Sequence, residues 1–294
     1  MESVRFNLEF TKPFDWPGLL GFFAPRAIPG VETVAGEVLV RSLRTGGFSG
    51  TITIEMARNG EMLQVGLTGT KGFVGQAESV QALAGRVLDL DLEPGELSKC
   101  LAGDPVLGPL AKRWPGMRLP GAWDGFEMGV RGILGQQVSV KAAHTLAGRI
   151  VRKFGSPHES RWPGVEWLFP TAGTVAGLSV DDLAALGLTR MRAETLIRFA
   201  KWWEEDPSTK GSMLELQGIG PWTENYLRMR GTSDRDAFPA ADLGIHKALG
   251  IKDLGPNRAA KAAEERSLGW RPWRAYAVLM LWRSLSEDSS GGSK

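Results

Sequence analysis

The chain has 294 residues, 43% apolar and 23% charged, a balance that excludes disorder as the default and leaves room for one large core or two smaller ones. A net charge of +2 tolerates a nucleic acid as partner without requiring one, and neither an apolar run of membrane length nor a signal-like N-terminus is seen, which points to a soluble intracellular protein. The single cysteine, Cys100, excludes an internal disulfide and any metal or iron–sulfur site needing four cysteines, and the three scattered histidines His144, His158 and His246 read as structural or solvated.

In chain order, residues 4–10, 34–43, 50–56 and 61–68 alternate with period two and are separated by turns such as Thr45-Gly46-Gly47 and Asn59-Gly60. They predict an antiparallel sheet. Asp15 is placed to cap a short helix in DWPGLLGFFAPRA, and Val80, Leu83, Val87 and Leu88 share one helical face. From about residue 95 the strand signal stops. Helices are expected around Phe126–Ile133, Val140–Phe154, a capping box at Ser179–Asp182, Ala193–Trp203, Thr223–Met229, Leu243–Leu249, Ala259–Arg266 and Trp273–Leu285. The fold class is therefore α+β. An N-terminal antiparallel sheet unit (1–92) precedes an all-helical core (93–285) of two subdomains, about 113–230 and about 93–112 plus 231–285, with a cleft between them. The tail 286–294 reads as disordered, and 157–170 and 206–211 as the flexible insertions.

Eleven tryptophans against two tyrosines allow two readings, ordinary core filling or a pocket wall for a flat ligand. The segment Leu214 to Tyr226 contains a tight Gly218-Ile219-Gly220 turn followed by Pro221 near the first position of a new helix. That is either a plain helix connection or an anion site in which free N–H groups face a phosphate. Downstream, Asp242 follows Phe238-Pro-Ala-Ala at a helix start, where an aspartate is an ordinary N-cap. A capping carboxylate is also well placed to stabilise positive charge on a sugar.

Gly218-Ile-Gly-Pro-Trp-Thr223 followed by Phe238-Pro-Ala-Ala-Asp-Leu-Gly244 resembles the helix-hairpin-helix DNA glycosylases, and within them the bacterial 3-methyladenine DNA glycosylase II (AlkA) branch. Phe14-Asp-Trp16, Leu20-Gly-Phe22, Val31-Glu-Thr-Val34, Arg41-Ser-Leu43, Ile133-Leu-Gly-Gln136, Arg192-Ala-Glu194 and Pro272-Trp-Arg-Ala-Tyr276 extend the likeness over nearly the whole chain. The resemblance implies a helix-hairpin-helix glycosylase core and Asp242 as the catalytic aspartate. It places Trp222, Tyr226, Trp282 and Phe22 around the base pocket, and Gly218, Ile219, Gly220 and Thr223 at the DNA phosphates. A structural Na+ or K+ ion at the Gly218 and Gly220 hairpin is further implied, with no other cofactor and no iron–sulfur cluster. Gln137 falls where some members insert an apolar wedge into the gap left by a flipped base, and Gln217 stands where members often have proline.

The position that carries a lysine nucleophile in bifunctional members is Trp222, which cannot form a Schiff base. The implied activity is a monofunctional glycosylase of base excision repair acting on alkylated purines in double-stranded DNA, as a monomer in the cytoplasm near the nucleoid. Two alternatives stand beside it: a glycosylase mainly for deaminated or etheno bases, and a non-catalytic DNA-binding protein that uses the hairpin alone.

Overall fold

A computed structural model describes residues 1–205 and 211–291, with side chains as far as Glu287. The alternating segments form β1 (Glu2–Leu8), β2 (Glu32–Ala35), β3 (Val38–Thr45), β4 (Phe48–Met56) and β5 (Leu63–Gly69). They make one antiparallel sheet in the order β1-β5-β4-β3-β2. The expected strand 34–43 is in fact two strands, because Gly36 takes φ +62° and turns the chain between Ala35 and Val38. Helix α1 (Trp16–Phe23) leaves β1 through the Asp15 cap, whose carboxylate accepts from the Gly18 N–H at 2.8 Å. After β5 come α2 (Lys71–Val74) and α3 (Ala77–Val87). Trp16, Leu20, Val80 and Val87 from α1 and α3 share a core with Ile52, Ile54, Val65 and Leu67 of the sheet.

The remaining chain is helical: α4 (Pro94–Leu101), α5 (Leu107–Arg113), α6 (Gly125–Leu134) and α7 (Val140–Phe154), then α8 (Ala172–Ala176), α9 (Val180–Ala184) and α10 (Arg190–Glu204). They are followed by α11 (Pro221–Gly231), α12 (Leu243–Ala248), α13 (Pro256–Ser267) and α14 (Arg274–Gly291). A second core joins α6, α7, α10 and Ile219 of the hairpin, and Ile28 and Val31 enter it from the N-terminal part of the chain. A third joins α4, α5 and α14 with Met229, Phe238 and Ile245. Trp114, Met117 and Leu119 pack in this third core, so residues 113–119 keep company with the C-terminal helices instead of with the hairpin.

Two segments expected to be loose carry regular secondary structure instead. Segment 157–170 is pinned by a short ribbon, Ser156–Pro157 against Trp167–Leu168. The Trp167 N–H donates to Gly30 O (2.8 Å) and the Ser42 hydroxyl to Trp167 O (2.6 Å). The tail does not leave the fold at 286, since α14 continues to Gly291. Glu287 anchors it by pairing with Arg113 (2.5 Å) and Arg283 (3.4 Å). Of the other expected insertion, residues 206–210 lie outside the described residues, as do 292–294 at the end of the tail. No described helix is long and apolar enough to cross a membrane.

Candidate active site

Asp242 is the N-cap of α12, and its Oδ1 accepts from the Ile245 N–H at 3.0 Å. The same oxygen accepts from Trp282 Nε1 at 2.9 Å, while Oδ2 accepts from Trp222 Nε1 at 2.9 Å. Two indoles from different helices, α11 and α14, therefore grip one carboxylate together with a helix N-terminus. A carboxylate offers about four lone-pair directions. Three are filled here, and the one left on Oδ2 is available to a water or to charge developing beside it.

The sequence resemblance placed Trp222 and Trp282 around a base as aromatic walls, and the structure adds that each also holds the carboxylate through its N–H edge. Trp222 stacks on Tyr226 with centroids 5.3 Å apart and planes 9° apart, and Tyr226 in turn leans on Trp282 at 6.4 Å. All three rings line, with Asp242 and Gln137, a cleft of about 1170 Å³ that runs inward between the second and third cores. Phe22 is placed differently from the expectation. It does not line the cleft, because the Arg26 and Arg230 guanidiniums lie over its ring, with carbons 4.0 Å and 4.5 Å from the centroid. The wall there is guanidinium backed by an aromatic ring.

The hairpin precedes α11. Gly218 has φ +95°, and a Cβ on it would lie 2.2 Å from Thr195 Oγ1, so a bare backbone is needed at this position. Gly220, the N-cap of α11, faces open space, which leaves the helix N-terminus accessible to an anion. Ile219 is an anchor, buried in the second core. Thr223 lies differently from its expectation: the residue is buried, and its hydroxyl accepts from Gln136 Nε2 at 2.9 Å, facing the α6 end and not an open phosphate site. Gln136 also donates to Gly218 O (2.9 Å), and the Arg192 guanidinium donates to Gln136 O (2.7 Å). This clasp between the α6 end and the hairpin has no signature in the sequence, since Gln136 and Gly218 are 82 residues apart. Gln137 itself is exposed at φ +55° on the rim of the cleft.

The opposite wall carries buried charge. Arg41 of β3 pairs with Glu32 (3.0 Å) and Glu127 (2.7 Å), and Arg131 pairs with Glu127 (2.7 Å). Burial alone would raise the Glu127 carboxyl, but Arg41 and Arg131 outweigh it and hold it down at about 2. His144 also borders the cleft, and burial with the nearby Arg131 lowers its pKa, which favours the neutral ring. His158 bonds Thr51 Oγ1 (2.8 Å) and His246 bonds Ala240 O (2.7 Å), both structural contacts.

Comparison with known proteins fits this geometry. Residues 5–124 match the AlkA N-terminal domain, and residues 130–274 match the HhH-GPD superfamily base excision DNA repair protein. The chain is 36% identical over 290 residues to DNA-3-methyladenine glycosylase 2 of Escherichia coli, covering 94% of this chain and 96% of that one. It belongs to the AlkA family of HhH-GPD base excision DNA repair proteins. A probable bifunctional transcriptional activator/DNA repair enzyme AlkA of Mycobacterium tuberculosis is 33% identical over 96% of this chain. The chain spans only 57% of that relative. The AlkA-type fold is shared with the 3-methyladenine DNA-glycosylase from Archaeoglobus fulgidus, at a TM-score of 0.79, 24% identity and coverage of 94% and 97% of the two chains.

Proposed function

We propose that the protein is a monofunctional DNA glycosylase that takes alkylated purines of the 3-methyladenine and 7-methylguanine type out of double-stranded DNA and hydrolyses the N-glycosidic bond. The observation that carries this reading is the Asp242 carboxylate, fixed by Trp222, Trp282 and the Ile245 N–H at the mouth of an aromatic cleft. Membership of the base excision repair family supports it.

A base inside the stack cannot reach that carboxylate, so it must be flipped out, at a cost of a few kcal/mol that falls when its pairing is already weakened. Gln137 on the rim is the side chain placed to fill the gap, with an amide that can bond the unpaired partner. The N-terminus of α11, opened by Gly218, Ile219 and Gly220, takes a backbone phosphate of the same strand. As the bond to the base lengthens, positive charge grows on the sugar and Asp242 stabilises it across a short gap without moving. Water, held at the free direction of Oδ2, completes the hydrolysis. Trp222 occupies the place of a lysine nucleophile and donates to Asp242, so no Schiff base forms and the product is an intact strand with an abasic site.

No cofactor enters these steps. A Na+ or K+ ion at the hairpin stays a proposal without a part in the chemistry. The Gly218 carbonyl already accepts from Gln136, and the Gln217 carbonyl from Thr195 and Arg198, so an ion at these oxygens would share each of them with a donor. The protein is proposed to act as a monomer in the cytoplasm.

Release of free base from a methylated duplex, followed by alkali, tests the reading. Free methylated purine with strand breaks only after alkali is the expected result. Breaks without alkali, or no release from any methylated duplex, would refute it.

A further inference from the structure

The loop from α6 to α7 is held at both ends. At its start the Gln136 side chain donates through Nε2 to Gly218 O (2.9 Å) and to Thr223 Oγ1 (2.9 Å), while Arg192 donates to Gln136 O (2.7 Å). At its finish Ser139 caps α7 by accepting from the Ala142 N–H at 3.2 Å. Gln137 and Val138 lie between these fixed points. Gln137 takes φ +55°, a left-handed backbone that a residue with a side chain keeps only where its surroundings impose it.

The bonds of Gln136 impose it here. The Gln136 carbonyl and the Gln137 nitrogen belong to one planar peptide unit. Arg192 holds that plane by its oxygen, and the Gln136 amide ties the residue before it to the hairpin, so the direction in which Gln137 leaves the loop is set in advance. Helix α10 is the common base of these contacts, with Arg192, Thr195 and Arg198 at i, i+3 and i+6 on one face. Arg192 holds the loop, and the Thr195 hydroxyl (3.4 Å) and the Arg198 guanidinium (3.3 Å) donate to Gln217 O at the entry to the hairpin. The hairpin that takes a phosphate and the rim residue that faces the gap therefore keep a fixed spacing.

We propose that Gln136 is a positioning residue for base flipping. Its amide locks the Gln137 loop to the hairpin, so that the grip on the phosphate and the entry of Gln137 into the stack occur as one movement. The flipped state lies uphill by the cost of unpairing and unstacking. A side chain already oriented for the gap gives up little freedom on entering it and so favours that state, whereas a released loop must first be ordered. Gln136 acts through Gln137, not on the reacting atoms. The inference rests on the glycosylase reading above and assigns the residue that couples its two DNA contacts.

The test is single-turnover release of 7-methylguanine from two duplexes of one sequence, with either cytosine or a tetrahydrofuran abasic analogue opposite the lesion. It compares the wild type, Gln136→Met, Gln137→Ala and the double variant. Opposite the analogue there is no pair to break and no partner base for Gln137 to meet, so flipping depends least on the loop. Each single variant should slow release opposite cytosine about tenfold, and opposite the analogue by less than about threefold. In the Gln137→Ala background, Gln136→Met should add less than about twofold, since it has nothing left to position. The ratio of the two duplexes within one preparation does not depend on the fraction folded. A role confined to supporting the hairpin would slow both duplexes alike, because the phosphate is held in both. Equal slowing by either variant, an unchanged rate in Gln136→Met, or losses that multiply in the double variant would each overturn the proposal. Release from neither duplex by the wild type would instead sink the glycosylase reading, and this proposal with it.

Discussion

Replacing Asp242 by asparagine preserves size and removes both a charge and an acceptor. In the wild type Oδ1 takes the Trp282 and Ile245 N–H groups and Oδ2 takes that of Trp222. Asparagine has one oxygen, so it can satisfy the Oδ1 side while its amide hydrogens meet the Trp222 N–H, donor against donor. Flipped, it abandons two donors. The better orientation leaves one partly buried N–H unpaired at a cost of about 1–3 kcal/mol, which rotates the side chain or loosens Trp222 from its stack on Tyr226. The larger effect is the missing charge, since losing one preorganised electrostatic partner of a transition state costs about 10²–10³-fold in rate. Single-turnover base release should fall by at least that much, while affinity for a duplex carrying an abasic site, read by fluorescence anisotropy, stays within about threefold because the hairpin is untouched. Release within about tenfold of wild type would refute the role assigned to the carboxylate.

Further expectations follow from the same contacts. Trp222→Phe keeps the ring and deletes one bond to the carboxylate, and should slow release about tenfold with little change in melting temperature; an unchanged rate would mean that Trp222 does not position Asp242. Gly218→Ala forces φ +95° on a residue with a Cβ 2.2 Å from Thr195 Oγ1, so it should lower thermal stability by about 1–3 kcal/mol and weaken duplex binding, whereas Gly220→Ala, facing open space, should melt like the wild type. Arg41→Met leaves the buried Glu32 and Glu127 with Arg131 as their one remaining cation among the described residues, 2.7 Å from Glu127 but 3.8 Å from Glu32, and thermal unfolding should show a loss of about 3–5 kcal/mol. Because the folded-state Glu127 carboxyl lies at about 2, below its ordinary 4.5, it contributes stability above pH 4.5 that is lost as the pH falls from there toward 2, a slope that acid titration of Arg41→Met should show flattened.

Much of the architecture was legible because local rules and tertiary packing agree here. The sheet followed from period-two alternation, and α7 and the Ser179–Asp182 capping box from helical spacing and cap chemistry. The errors sit where a single residue's backbone or a contact beyond the periodic pattern decides. The break between β2 and β3 depends on one glycine, the pinned 157–170 segment on bonds to Gly30 and Ser42, and the length of α14 on ion pairs formed by Glu287. At the site, Asp242, Trp222, Tyr226 and Trp282 were named from resemblance and do converge. That both indoles donate to the carboxylate was not legible, because Trp222 and Trp282 are 60 residues apart and no periodicity relates them. Phe22 was placed at the pocket when the groups that reach the cleft are the arginines over its ring. Arg230 had a visible signal, its i+8 spacing from Trp222, yet a basic residue near a helix end reads first as a solvated dipole partner.

The N-terminal sheet unit contributes to the site through charge. Its Arg41 and Glu32 are buried against Glu127 and Arg131 of α6, and Arg131 Nη1 donates to Arg26 O at 2.6 Å, just beyond α1. One network therefore ties β3 and α6 to the turn that presents Arg26 to the cleft. Buried ion pairs add little net stability once desolvation is counted, but breaking one strands its partner, so they fix geometry firmly. The network's two arginines are balanced by its two carboxylates, whereas Arg26 donates to the Phe22 carbonyl, lies over the Phe22 ring and pairs with no carboxylate among the described residues.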